Sequence, residues 1–189
     1  GDGTGLGTIS NDDQPVTTFT GPTGTGTGTF TGTISGGGPA CGFAAQTQLI
    51  AAPPGVAPVP PTLPVVGAVF PHGMLALSLS NCTNGSTVAF TFTYPQALPA
   101  GTVFWKYGRT AASPMVAVWY AYPATIVGNQ IGFSITDGGP GDDDLAANGS
   151  IVDPNGPAFV QLGAPVVAVP AAGHNALLGL LALVFALGI

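Results

Sequence analysis

The chain has no glutamate and only two bases, Lys106 and Arg109. Charged residues make up 5% of its 189 positions, against about 25% in an ordinary soluble domain. A nucleic-acid surface needs a lysine and arginine footprint to displace counterions, and two bases do not supply one, so nucleic acid is excluded as a partner. Water-facing helices draw on Glu, Lys, Arg and Gln. Here the polar surface has to come from 21 Thr with Ser, Asn and Gln, which favour strands and turns, so the composition reads as all-β. Acid–base chemistry is equally short of groups. His72 is the one general-base candidate, because His174 stands beside a long apolar run, and no serine sits in a nucleophile elbow. The chain is therefore expected not to be an enzyme, and His72, in Phe70-Pro71-His72-Gly73, to be a turn residue bonding backbone.

What is abundant is Gly (30) and Pro (19), together about a quarter of the chain, a level that alone would indicate low complexity. Leu, Ile, Val and Phe number 50, which keeps the apolar fraction above the roughly 20% below which burial cannot offset the entropy of ordering. A folded core is expected. No acid occurs between Gln14 and Thr136, and the segments there alternate as half-buried strands do. Thr25, Thr27, Thr29, Thr31 and Thr33 alternate with Gly24, Gly26, Gly28, Phe30, Gly32 and Ile34, which predicts a strand over the whole run. Leu75, Leu77 and Leu79, then Asn84-Gly85, then Val88, Phe90, Phe92 and Tyr94 read as a hairpin. Further strands are expected at 103–107, 115–122 and 130–137, and turn signals at intervals of about ten residues make an antiparallel β-sandwich the economical arrangement. Pro53, Pro54, Pro58, Pro60, Pro61 and Pro64 mark a loop or edge segment, since proline donates nothing to a central ladder.

Cys41 and Cys82 are the only cysteines. An even pair in a chain with secretory features points to a disulfide closing a loop of about 40 residues. Five of the eight Asp lie between Asp137 and Asp153, among glycines and near Asn148. Hard oxygen ligands on tight turns are what a Ca²⁺ site needs, and Asp137, Asp142, Asp144, Asn148 and Asp153 are the candidate ligands; Asp and Asn bonding their own backbone in Asx-turns are the alternative. Lys106 and Arg109 invite a structural clamp onto this loop. Trp105 and Trp119 fall on neighbouring strand candidates, either as core aromatics or as a glycan-binding face.

The landmarks Cys41-Gly42-Phe43, Phe70-Pro71-His72-Gly73, Tyr94-Pro95, Trp105-Lys106-Tyr107-Gly108, Trp119-Tyr120, Asp137-Gly138-Gly139-Pro140-Gly141-Asp142-Asp143-Asp144 and Ile151-Val152-Asp153-Pro154-Asn155-Gly156-Pro157 follow in an order that resembles the choice-of-anchor U domain. The resemblance implies a bacterial extracellular module, at residues 21–160, with no enzymatic activity attached. Residues 3–13 resemble the end of a Calx-beta domain, which assigns residues 1–14 to an upstream domain. In the linker 161–175, Val169, Pro170, Ala171 and Ala172 occupy the place of a PEP- or IPTL-type sorting motif, departing from Ile-Pro-Thr-Leu. The apolar run 176–189 is expected to form a short anchor helix of about 21 Å, below the roughly 30 Å of a bilayer core. The expected function is presentation of upstream domains at the cell envelope, with the membrane and a sorting protease as partners; a Ca²⁺-dependent adhesion or glycan-binding module is the alternative.

Overall fold

The computed structural model describes residues 14–161. The Calx-beta-like start, the sorting position at Val169, Pro170, Ala171 and Ala172 and the apolar run 176–189 lie outside the described residues. Within them the chain forms strands and no helix, in two antiparallel sheets that face each other as a β-sandwich. One sheet has the order β1 (Thr18–Pro22), β2 (Thr29–Gly36), β7 (Thr87–Thr93), β11 (Gln130–Thr136), β10 (Thr125–Val127). The other runs β3 (Gly42–Phe43), β6 (Met74–Ser80), β12 (Ile151–Val160), β8 (Val103–Thr110), β9 (Ser113–Ala121), with β4 (Gln48–Ile50) added to β6 and β5 (Ala68–Val69) to β12.

The two-residue period decides which side chains meet between the sheets. Phe30 and Ile34 of β2, Val88, Phe90 and Phe92 of β7, and Ile131, Phe133 and Ile135 of β11 face Leu75, Leu77 and Leu79 of β6, Phe104 of β8 and Ile151 of β12. Phe104 and Phe133 meet across the gap with ring centroids 4.6 Å apart, and Phe133 stacks on Phe90 at 4.8 Å. Each such ring contributes on the order of 2 to 3 kcal/mol by burial, so a chain poor in charge still acquires a continuous aromatic core.

Two expectations need correction. The Thr-Gly run is not one strand: Thr25 and Thr27 lie in the turn between β1 and β2, and pairing begins at Thr29 opposite Pro22. The pattern through Asn84-Gly85 is not a hairpin, because β6 pairs with β12 whereas β7 pairs with β2 and β11 in the other sheet. Both strands carry the same alternation, and they turn their apolar faces to each other across the core instead of lying side by side. A strand that the sequence pattern does not announce is β12, which crosses the Asp-, Pro- and Gly-rich segment and sits at the centre of its sheet. Its prolines are tolerated because the strand changes partner along its length. Residues Ile151 to Asn155 pair with β6 and Asn155 to Ala158 with β8, so Pro154 and Pro157 each lie where a single flank is paired.

The segment 51–67 is a loop, as its prolines require. It lies over the outer face of the seven-stranded sheet, where Val59 and Leu63 join Ile50, Phe70, Met74 and Ala158 in a second, smaller core.

Candidate functional site

The connection from β11 to β12 carries the Asp-rich loop from one sheet to the other and closes one end of the sandwich. The connection from β6 to β7 crosses at the same end, and Asp137 ties the two together. Its carboxylate accepts the backbone N–H of Gly85 at 2.8 Å, of Gly149 at 2.9 Å and of Asn148 at 3.3 Å. Gly149 holds φ at +80°, and a Cβ there would stand 2.5 Å from the Cys82 carbonyl oxygen, so only glycine lets the loop come this close. Cys82 lies inside this junction and is joined to Cys41 in a disulfide with an S–S distance of 2.07 Å.

The other aspartates of the loop are shared out in the same way. Asp142, fully buried, accepts N–H from Gly138 at 2.8 Å and from Val152 at 3.1 Å. Asp144 accepts from the Ala146 backbone and from Asn148 Nδ2, both at 2.8 Å. Asp143 accepts the Arg109 backbone N–H, and its Oδ1 lies 3.6 Å from Arg109 Nε in a half-exposed ion pair. Of the five candidate Ca²⁺ ligands, Asn148 hydrogen-bonds both Asp137 and Asp144, Asp142 holds the Gly138 and Val152 backbone, and Asp153 meets Lys106. Among the described residues no group of three or more His, Cys, Asp or Glu is gathered as metal ligands, and the loop's oxygens bond backbone as Asx-turns do.

Burial pushes the Asp142 carboxyl from 3.8 up to about 6, against the pull of its two backbone N–H donors. Between those values the folded chain holds a proton that the unfolded chain releases. This group therefore costs nothing below about pH 4, and its penalty is complete above about pH 6. The gain in melting temperature on going from pH 7 to pH 5 is expected to be smaller in Asp142→Asn than in the unsubstituted protein. Equal gains in calorimetric scans at the two pH values would show that Asp142 does not titrate in this window.

Asp153 is on β12 and points into the sandwich, where its Oδ2 lies 2.7 Å from Lys106 Nζ, both groups being buried. On β8 the inward positions are Phe104, Lys106 and Gly108, so the lysine occupies a core position. Its ammonium sits 3.8 Å from the centroid of the Tyr122 ring and 5.1 Å from that of Phe133, with the Gly141 carbonyl at 3.4 Å. Asn155, directly opposite Lys106 in the strand register, donates Nδ2 to Asp153 Oδ2 at 2.9 Å. Desolvation lowers the Lys106 pKa and raises that of Asp153, each opposed by the attraction between them. Sequence reasoning placed a clamp at the Asp loop. It missed that the clamp is internal and that Asn155 belongs to it; the available signal was the shared phase of Phe104, Lys106 and Gly108.

Elsewhere the candidate residues are taken up by packing. Trp119 stacks near Phe70 at 5.6 Å and Tyr107 at 5.1 Å, and its indole N–H donates to the Thr62 carbonyl at 3.0 Å in the proline-rich loop. Trp105 packs against the same second core. His72 is buried and stacked on Tyr94, and its Nδ1 meets the Thr27 hydroxyl at 2.7 Å. It is a turn residue, but it bonds a side chain of the β1–β2 turn and not backbone. Desolvation lowers its pKa.

No helix among the described residues is long and apolar enough to cross a membrane. Comparison with protein-family models, curated proteins and solved structures finds no match to this chain.

Proposed function

We propose that this chain is a non-enzymatic extracellular module of a bacterial surface protein, resembling the choice-of-anchor U domain, that presents upstream domains at the cell envelope through a C-terminal sorting or anchor segment. The observation that carries the reading is the commitment of both bases and the five aspartates of the 137–153 segment to contacts that hold the domain's own strands and loops together. A disulfide in an all-β domain is compatible with an extracellular location, where thiols are oxidised.

The competing reading, a Ca²⁺-dependent adhesion or glycan-binding module, draws on Asp143 and Asp144, which remain partly exposed. Ligand linkage separates the two. A cation held at about 100 times its dissociation constant stabilises a fold by about 2.7 kcal/mol, several degrees for a domain of this size. Melting in about 5 mM Ca²⁺ and in EDTA is expected to differ by less than about 1 °C. A rise of several degrees with Ca²⁺, lost in Asp144→Ala, would establish the competing reading instead.

A further inference from the structure

Lys106, Asp153 and Asn155 bring an amine, a carboxylic acid and a carboxamide into contact inside a water-excluding core. The carboxyl oxygen Oδ2 of Asp153 touches both nitrogens, Lys106 Nζ at 2.7 Å and Asn155 Nδ2 at 2.9 Å. All three residues are at most 2% exposed, and the rings of Tyr122 and Phe133 cover the amine. Strand register keeps the amine and the amide together, because Lys106 and Asn155 are paired partners on β8 and β12 and both project to the inner face. Asn155 Oδ1 is the buried side-chain polar atom left without a hydrogen-bond partner among the described residues. An amide with an idle buried carbonyl is a poor packing device, since an apolar side chain would fill the space without that penalty. The same amide is what a condensation with the lysine requires.

We propose that Lys106 and Asn155 form an intramolecular isopeptide bond, with Asp153 as the catalytic acid and base. Neutral Nζ attacks Cγ of Asn155 and forms the new C–N bond. Asp153, in its protonated form, gives its proton to Nδ2 as the Cγ–Nδ2 bond breaks and takes one back from Nζ, so the acid is regenerated and ammonia leaves. Atoms and electrons balance with no oxidant, reductant or further reactant. The position of Oδ2 decides which bond forms: it is in contact with the nitrogen that has to leave, which is where a proton-transferring group must stand. Burial disfavours both charged forms of the Lys106–Asp153 pair, which supplies the neutral amine and the protonated acid that the step uses. Burial of all three side chains away from solvent protects the product from hydrolysis. The cross-link would join the two central strands of the seven-stranded sheet, and the inference stands independently of the placement reading.

The test is the mass of the full chain and of its tryptic products after denaturation and reduction. Formation of the bond removes ammonia, about 17 Da, and blocks cleavage after Lys106. Trypsin then cuts after Arg109 alone, and fragments 1–109 and 110–189 stay joined through Lys106 and Asn155 on a reducing gel. Lys106→Arg and Asn155→Ala are expected to show the full mass and separated fragments, and Asp153→Asn, close to isosteric, the full mass. A full-mass unsubstituted protein that falls into separate fragments overturns the proposal whether or not any variant folds. A loss of about 18 Da would place the bond on Asp153 by expulsion of water and overturn the assignment to Asn155. Cross-linking that persists in Asp153→Asn would overturn the role given to Asp153.

Discussion

In an Asn155→Ala background, which cannot cross-link and keeps Lys106 beside Asp153, replacing Lys106 by methionine is expected to lower stability by about 3 to 5 kcal/mol, because it strands the Asp153 carboxylate in a core that has no other base to meet it. The figure is a large share of the 5 to 15 kcal/mol that a domain of this size typically possesses, and corresponds to a fall in melting temperature of roughly 10 °C or more. In the same background, Lys106→Met with Asp153→Leu removes both charges and is expected to recover a substantial part of the loss. A buried ion pair exchanged for well-packed apolar side chains is often neutral or better. Chemical denaturation of these variants and the Asn155→Ala parent decides the matter. A single variant within about 1 kcal/mol of the starting protein would show that the pair is hydrated and not a core element.

The second large effect is expected from the disulfide. Cys41 and Cys82 are 41 residues apart, and closing a loop of that length restricts the unfolded chain by about 3 to 4 kcal/mol in the chain-entropy treatment. The bond also lies at a junction: Cys41 precedes β3, Cys82 follows β6, and the Cys82 N–H donates to the Gly149 carbonyl at 2.9 Å. Cys41→Ala with Cys82→Ala is expected to reduce the melting temperature by about 10 °C and to loosen the loop end first, with faster amide exchange at Gly85 and Gly149 than at the β7 and β11 core amides. Uniform exchange across the domain would mean that the bond acts on the unfolded state alone.

Much of this architecture was legible residue by residue. Phe90 and Phe92 alternating with Ala89 and Thr91, and Ile131, Phe133 and Ile135 alternating with Gly132 and Ser134, announce half-buried strands, and both segments are strands facing one core. Alternation reports which face is buried but not which strand lies alongside, and this is why the run through Asn84-Gly85 imitates a hairpin while its halves belong to opposite sheets. The central strand β12 was hidden for a different reason. Asp153, Pro154, Asn155, Gly156 and Pro157 are turn formers by local preference, and only the change of partner at Asn155 makes them a strand. The candidate site followed the same division. The Asp-rich segment and the two bases stood out by scarcity, yet the pairing of Lys106 with Asp153 is set by tertiary register between strands 47 residues apart. The tryptophans were visible as aromatics, whereas their cover, the proline-rich loop, carries no sequence mark of its target.

Placement at the envelope is the central claim, and the C-terminal peptide tests it most directly. Cleavage after Phe159 releases the tail on a peptide that excludes Lys106 and Asn155, and its mass is to be measured for protein taken from the envelope and from the medium. The account predicts that the envelope form ends near Pro170 or carries added mass there. Protein found only in the medium, with residues 171–189 retained in every copy, would contradict it.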